Sequence, residues 1–137
     1  MKNYYPGDMY VDWLGVSCYP PSLSATYPEE RRYPLTLMQG IKQVSADKPI
    51  MISEGGYSST CDHQRWVREW FKLKDEEPRV KAVVWENHEN AENGDRRLQS
   101  DPLALELYKE LVQDPYWLDL IPDAVYSEIE TRKNNSK

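Results

Sequence analysis

An apolar run that breaks off at a carboxylate constrains this chain more than any other feature. Lys48-Pro49-Ile50-Met51-Ile52-Ser53 leads directly into Glu54, and Gly55-Gly56 follow. A short apolar run bounded by turn residues reads as a buried strand, predicted here over 49–53. The paired glycines let the chain turn sharply at its end. A rigid strand ending in a carboxylate is how a barrel or other α/β enzyme presents an acidic group to a ligand. Two similar runs flank it, Val11-Asp12-Trp13-Leu14-Gly15-Val16-Ser17-Cys18-Tyr19 before and Val80-Lys81-Ala82-Val83-Val84-Trp85-Glu86-Asn87 after, each ending in aromatic or polar residues. The first predicts a strand near 10–17 and the second a strand from Val80 to about Trp85.

Between these runs the apolar period becomes helical. Pro34 opens a helix at a first-turn position where proline is harmless, and Leu37, Met38, Ile41 and Val44 fall along its inner face. Asp62 can cap a second helix, in which Trp66, Val67, Trp70 and Phe71 form an apolar stripe that should pack on a sheet. Asp101-Pro102 supplies a cap and a first-turn proline for a third, with Ala104, Leu107, Tyr108 and Leu111 on its buried side. An amphipathic piece from Pro122 to Arg132 precedes a polar tail. The loops at 18–33 and 86–94 are turn-rich and acidic, respectively, and are expected to face solvent. The order β-α-β-α-β-α implies parallel strands joined by right-handed crossovers.

With 137 residues the chain is one domain or a piece of one. A net charge of −6 argues against a nucleic-acid partner. No run is long and apolar enough for a membrane span, and the first residues carry no signal-peptide core. Localisation therefore stays open, and is extracellular if the chain belongs to a longer secreted enzyme. Ten Tyr and five Trp stand against a single Phe. Tyr and Trp join a flat apolar face to a polar edge, which suits either stacking on sugars or packing near the surface. Cys18 and Cys61 make no metal-ligand pattern. A bridge between them is a weaker reading than two free thiols. His63 and His88 are too far apart in sequence to claim as a metal pair. His63 is expected on the surface at a helix start, and Glu86, Glu89 and Glu92 in a solvated acidic loop. Neither a metal nor a cofactor is called for.

The stretch from Tyr10 through Leu111 resembles the C-terminal part of glycoside hydrolase family 26, the β-mannanases and related β-glucanases. Val11-Asp12-Trp13-Leu14-Gly15-Val16, Lys48-Pro49-Ile50-Met51-Ile52-Ser53-Glu54 and Val80-Lys81-Ala82-Val83-Val84-Trp85 are similar to that family's sixth, seventh and eighth strands. Ser100-Asp101-Pro102-Leu103-Ala104 is similar to the opening of its last helix. The order and spacing of these motifs are more specific than any one of them. The resemblance implies a partial (β/α)8 TIM barrel, about the last three βα units, over 1–113, followed by a helical extension and polar tail over 114–137. It implies that Glu54 is the nucleophile of a retaining glycosidase, that Tyr19 orients Glu54, and that Trp85 lies under the sugar at the cleavage point. Gly55 stands where the family often has an aromatic, and Arg96 where it often has Trp.

Retaining hydrolysis also needs a second carboxyl, acid and then base, about 5–5.5 Å from the nucleophile. In the family that residue lies on the fourth strand, which has no counterpart in these residues. Glu86 and Glu89 are the carboxylates near a strand end, and their loop lies beside the wrong strand for the role. The expectation is therefore part of a β-mannan or β-glucan hydrolase, inactive by itself, whose partners are a β-linked polysaccharide or oligosaccharide and a missing N-terminal half-barrel. A non-catalytic carbohydrate-binding remnant is the alternative.

Overall fold

The computed structural model describes residues 4–20, 34–59, 61–90 and 94–117, apart from the side chains of Thr36, Leu37 and Asn90. Three parallel strands, β1 (Leu14–Cys18), β2 (Ile50–Gly55) and β3 (Val80–Trp85), form one sheet in the order β1-β2-β3. Two further two-residue strands, β4 (Glu89–Asn90) and β5 (Gly94–Asp95), make a small antiparallel pair. Three α-helices accompany the sheet: α1 (Pro34–Leu37), α2 (His63–Glu76) and α3 (Pro102–Leu111). The segment expected to form one helix from Pro34 is instead a single α-turn continued by a 3-10 helix, Met38–Gln43. Gly40 lies inside it, and glycine weakens helical backbone.

Local chemistry explains where α2 and α3 begin. The Asp62 carboxylate accepts from the Arg65 amide, and the Asp101 carboxylate from the amides of Leu103 and Ala104, so each satisfies donors that a helix start leaves open. Pro102 at the start of α3 has no N–H to lose. The stripe on α2 is core throughout: Trp66, Val67 and Trp70 are fully buried, and Phe71 and Leu73 nearly so. They meet Leu14, Cys18, Ile50, Ile52 and Val80 of the sheet in one apolar cluster. On α3 only Ala104 of the expected inner face is buried, while Leu107, Tyr108 and Leu111 pack at the margin.

This architecture corrects the expected fold class. The described residues form a small sheet of three parallel strands with three helices, and they do not show a partial TIM barrel with a helical extension. A barrel closes by pairing every strand on both sides with a constant tilt and stagger. Among the described residues β1 and β3 each pair with β2 alone in their sheet, and two irregularities interrupt the β2–β3 register. The expected helical piece at 122–132 lies outside the described residues, as do most of the expected loop at 18–33, the side chain of Leu37, and Glu92. No described helix is long and apolar enough to cross a membrane.

Candidate active site at the strand ends

The carboxyl ends of β1, β2 and β3 bring Tyr19, Glu54 and Glu86 to one rim, and β2 aims its acid by breaking its own alternation. Ile50 and Ile52 point into the helical layer and are fully buried, so strict period two would send Glu54 the same way. Instead Val16 pairs with Ile52 while the next residue, Ser17, pairs with Glu54. That step is a β-bulge, which re-aims a side chain at the cost of one ladder position. Ser53 and Glu54 are in consequence both exposed, and Gly55 turns back toward the helices.

Gly55 tolerates no larger residue. A Cβ there would collide with the Cys18 carbonyl oxygen and with the ring of Trp70. The aromatic that the resemblance leads one to expect at position 55 has no room, because the α2 core already fills it.

Glu54 receives a hydrogen bond from the Ser17 hydroxyl, 2.8 Å from Oε1. Tyr19, expected to orient Glu54, gives its hydroxyl to Glu86. Its phenol is held well above the ordinary tyrosine range, first by burial, then by that hydrogen bond and by the charges of Glu86 and Glu54. Tyr19 is thus a neutral donor between two carboxylates.

Glu86 is far from being a solvated loop acid. It forms an ion pair with Arg96 and lies 3.2 Å from Nε2 of His88. Burial alone would raise its pKa, but the Tyr19 hydroxyl and the Arg96 guanidinium outweigh burial, and the net shift is downward. Arg96 is itself buried, with its guanidinium carbon 4.3 Å from the centre of the Tyr19 ring and its stem against Gly56. One arginine therefore touches the chain just beyond each of the three strands. Position 96 lies in a polar loop with no periodicity, so nothing in the sequence marks it as buried.

Trp85 is partly buried. Its ring meets Tyr57, Trp70 and Tyr108 edge-on, and its Nε1 donates to the Arg96 carbonyl at 3.0 Å. His63, expected at the surface, does begin α2 but is locked in place. Nδ1 lies 3.0 Å from Asp101, Nε2 lies 3.0 Å from the Ser58 carbonyl, and the ring stacks on Tyr57 at 3.9 Å. This joins the loop after Glu54 to the caps of α2 and α3. His88 is exposed, and Glu89 is exposed beside Arg97.

Cys18 and Cys61 are both free. Burial pushes the Cys18 thiol up to about 12 and the Cys61 thiol up to about 11, so neither is a ready nucleophile. Among the described residues no group of His, Cys, Asp and Glu gathers to hold a metal ion.

No family model matches the chain. Over 114 residues it is 29% identical to Endoglucanase H of Acetivibrio thermocellus, an alignment covering 80% of this chain and 12% of that protein. The chain thus spans about an eighth of the length of this relative. The likeness supports a glycoside hydrolase-like relationship, without fixing a family within it.

Proposed function

We propose that this chain is the nucleophile-bearing part of a retaining β-glycoside hydrolase of the family 26 type, acting on β-mannan or a related β-glucan. Glu54 attacks the anomeric carbon through an oxocarbenium-like transition state. The observation that carries this reading is the bulge that turns Glu54 out of the core and onto an exposed strand end, beside a hydroxyl donor. Bulges of this kind are over-represented next to active sites. The likeness to Endoglucanase H supports the glycoside hydrolase part of this reading.

Tyr19 contributes a neutral phenol at the same rim. Its hydroxyl is available to Glu54 once Glu86 takes another donor, a sugar hydroxyl among them. Trp85 has its N–H committed to Arg96 and its ring packed edge-on with Tyr57, Trp70 and Tyr108, which fixes the plane of the indole and leaves only its uncovered part to offer a sugar.

The acid/base carboxyl comes from outside the described residues. A general acid must carry a proton at working pH, and Glu86, the other carboxylate of the rim, is held ionised by Tyr19 and Arg96. The same fact favours a second reading, a carbohydrate-binding chain without hydrolysis.

Hydrolysis of β-mannan and of mixed-linkage β-glucan by the purified chain, with Glu54→Ala as control, tests both. The expected outcome is no turnover together with measurable oligosaccharide binding. Turnover lost in the control would mean that the acid lies within this chain. Neither turnover nor binding would remove the carbohydrate reading.

A further inference from the structure

We propose that Ser17 is the positioning residue for Glu54, an inference that rests on the nucleophile reading above. The bulge that exposes Glu54 also makes Ser17 its register partner, and the Ser17 hydroxyl lies 2.8 Å from Oε1. Without the bulge the two residues would not be opposite one another. The irregularity that supplies the carboxylate therefore supplies its holder.

The physical need for a holder is plain. An exposed glutamate has three rotatable bonds, and its terminal torsion is broad, so its two oxygens sweep a wide arc. A donor fixed on the neighbouring strand ties one oxygen, Oε1, and leaves the lone pairs of Oε2 facing one direction. Serine suits the task because its hydroxyl reaches across one strand spacing, about 4.8 Å, with a single rotatable side-chain bond. Nor is Tyr19 placed to do this in the structure, since Glu86 holds its hydroxyl and Arg96 covers its ring. The role of Ser17 is to keep Glu54 in an attacking pose while its charge stays on the carboxylate. The proton of the hydroxyl is shared with Oε1 and is not transferred.

The test uses the full chain and an affinity label, 3,4-epoxybutyl β-cellobioside. In the labelling step a lone pair on Glu54 Oε2 forms a C–O bond to an epoxide carbon, the ring C–O bond breaks, and the released oxygen takes a proton from water. Intact mass gives the rate and peptide mapping the site. Ser17→Thr and Ser17→Val are nearly isosteric and both suit a strand, so they differ in the hydroxyl alone.

The wild type and the threonine variant are expected to label at Glu54 at rates within about threefold of one another. The valine variant should have a maximal rate about tenfold lower, with half-saturation by the label unchanged, as expected when a hydrogen bond to a charged group is lost. Thermal melting of all three chains separates positioning from folding, and Glu54→Gln identifies the site. A valine variant that labels as fast as threonine overturns the role of Ser17 and leaves Glu54 as nucleophile intact. So does a parallel loss in both variants. A wild-type chain labelled elsewhere, or not at all, removes the nucleophile reading and this inference with it.

Discussion

The two faces of the three-stranded sheet are built on opposite rules. Toward the helices stand Leu14, Cys18, Ile50, Ile52 and Val80, all buried and meshed with Trp66, Val67 and Trp70. The other face carries Gly15, Ser17, Ser53, Glu54 and Val84, all exposed. Parallel sheets are ordinarily covered on both sides. The contrast separates the two tasks of the molecule: one face supplies nearly all the burial that holds the strands in register, and the other leaves these five positions open, with Met51 half-buried among them. The candidate chemistry occupies the face on which substitution costs little.

The comparison predicts a steep gradient of mutational cost. Trp70→Ala should be the most damaging change, because its indole is fully buried and also meets Trp66 and Trp85. Large aromatic truncations in a core cost about 3–5 kcal/mol, so chemical denaturation should show a folded state lost or nearly so. A loss under about 1 kcal/mol would mean that the helical face is not the core. Gly55→Ala comes next, since its new Cβ meets the Cys18 carbonyl and the Trp70 ring, and backbone cannot yield as a flexible side chain can. Overpacking of this kind costs about 1–3 kcal/mol, read as a lower denaturation midpoint at unchanged slope.

How far the sequence discloses each face follows from the same physics. Burial writes itself into a pattern, so the stripe Trp66-Val67-Trp70-Phe71, the caps Asp62 and Asp101, and three apolar runs are all legible in the residues alone. Closure of a barrel cannot be read that way, because a parallel strand looks alike at the edge of a three-stranded sheet and inside a closed one. The expected barrel fails for that reason. Bulges are equally silent: nothing in Ile50-Met51-Ile52-Ser53-Glu54 tells whether Glu54 follows Ile52 inward or Ser53 outward. The Ser17–Glu54 pair depends on that choice. The burial of Arg96 and the anchoring of His63 leave no trace in the sequence either, because their partners are 10 and 38 residues away and no periodic pattern links a residue to a partner at such distances.

Between the two faces lies the rim, where Glu86 and Arg96 should give an intermediate effect with a pH signature. The folded pKa of Glu86 lies below its ordinary value. A group so depressed adds stability above its unfolded pKa, and that stability is lost as pH falls through the folded pKa. Glu86→Gln should therefore cost about 1.5 kcal/mol near neutral pH, the worth of a hydrogen bond to a charged group. The gap between the variant and the wild type should then narrow as the medium is acidified below about pH 4. Denaturation at several pH values measures this. A gap that stays constant would mean that Glu86 contributes packing and not charge.

The smallest effect should come from the open face. Ser53 is exposed beside Glu54, and its side chain stands over Gly15, whose missing Cβ would lie 3.8 Å from the Ser53 hydroxyl. Ser53→Ala removes one oxygen from a surface that water already covers, so the expected change in stability is within about 0.5 kcal/mol. This is the sharpest test of the comparison, because it asks whether the open face carries any packing load at all. A loss above about 1 kcal/mol would require Ser53 to be covered and hydrogen-bonded, as only a buried hydroxyl is that costly to remove. Repeating the measurement over a wide range of protein concentration tells the source. A cost that grows with concentration places the cover in a second copy of the chain, since association stabilises by mass action. One that stays fixed places it within the chain, and the two faces would then be less unlike than the exposures of Ser17, Ser53 and Glu54 make them.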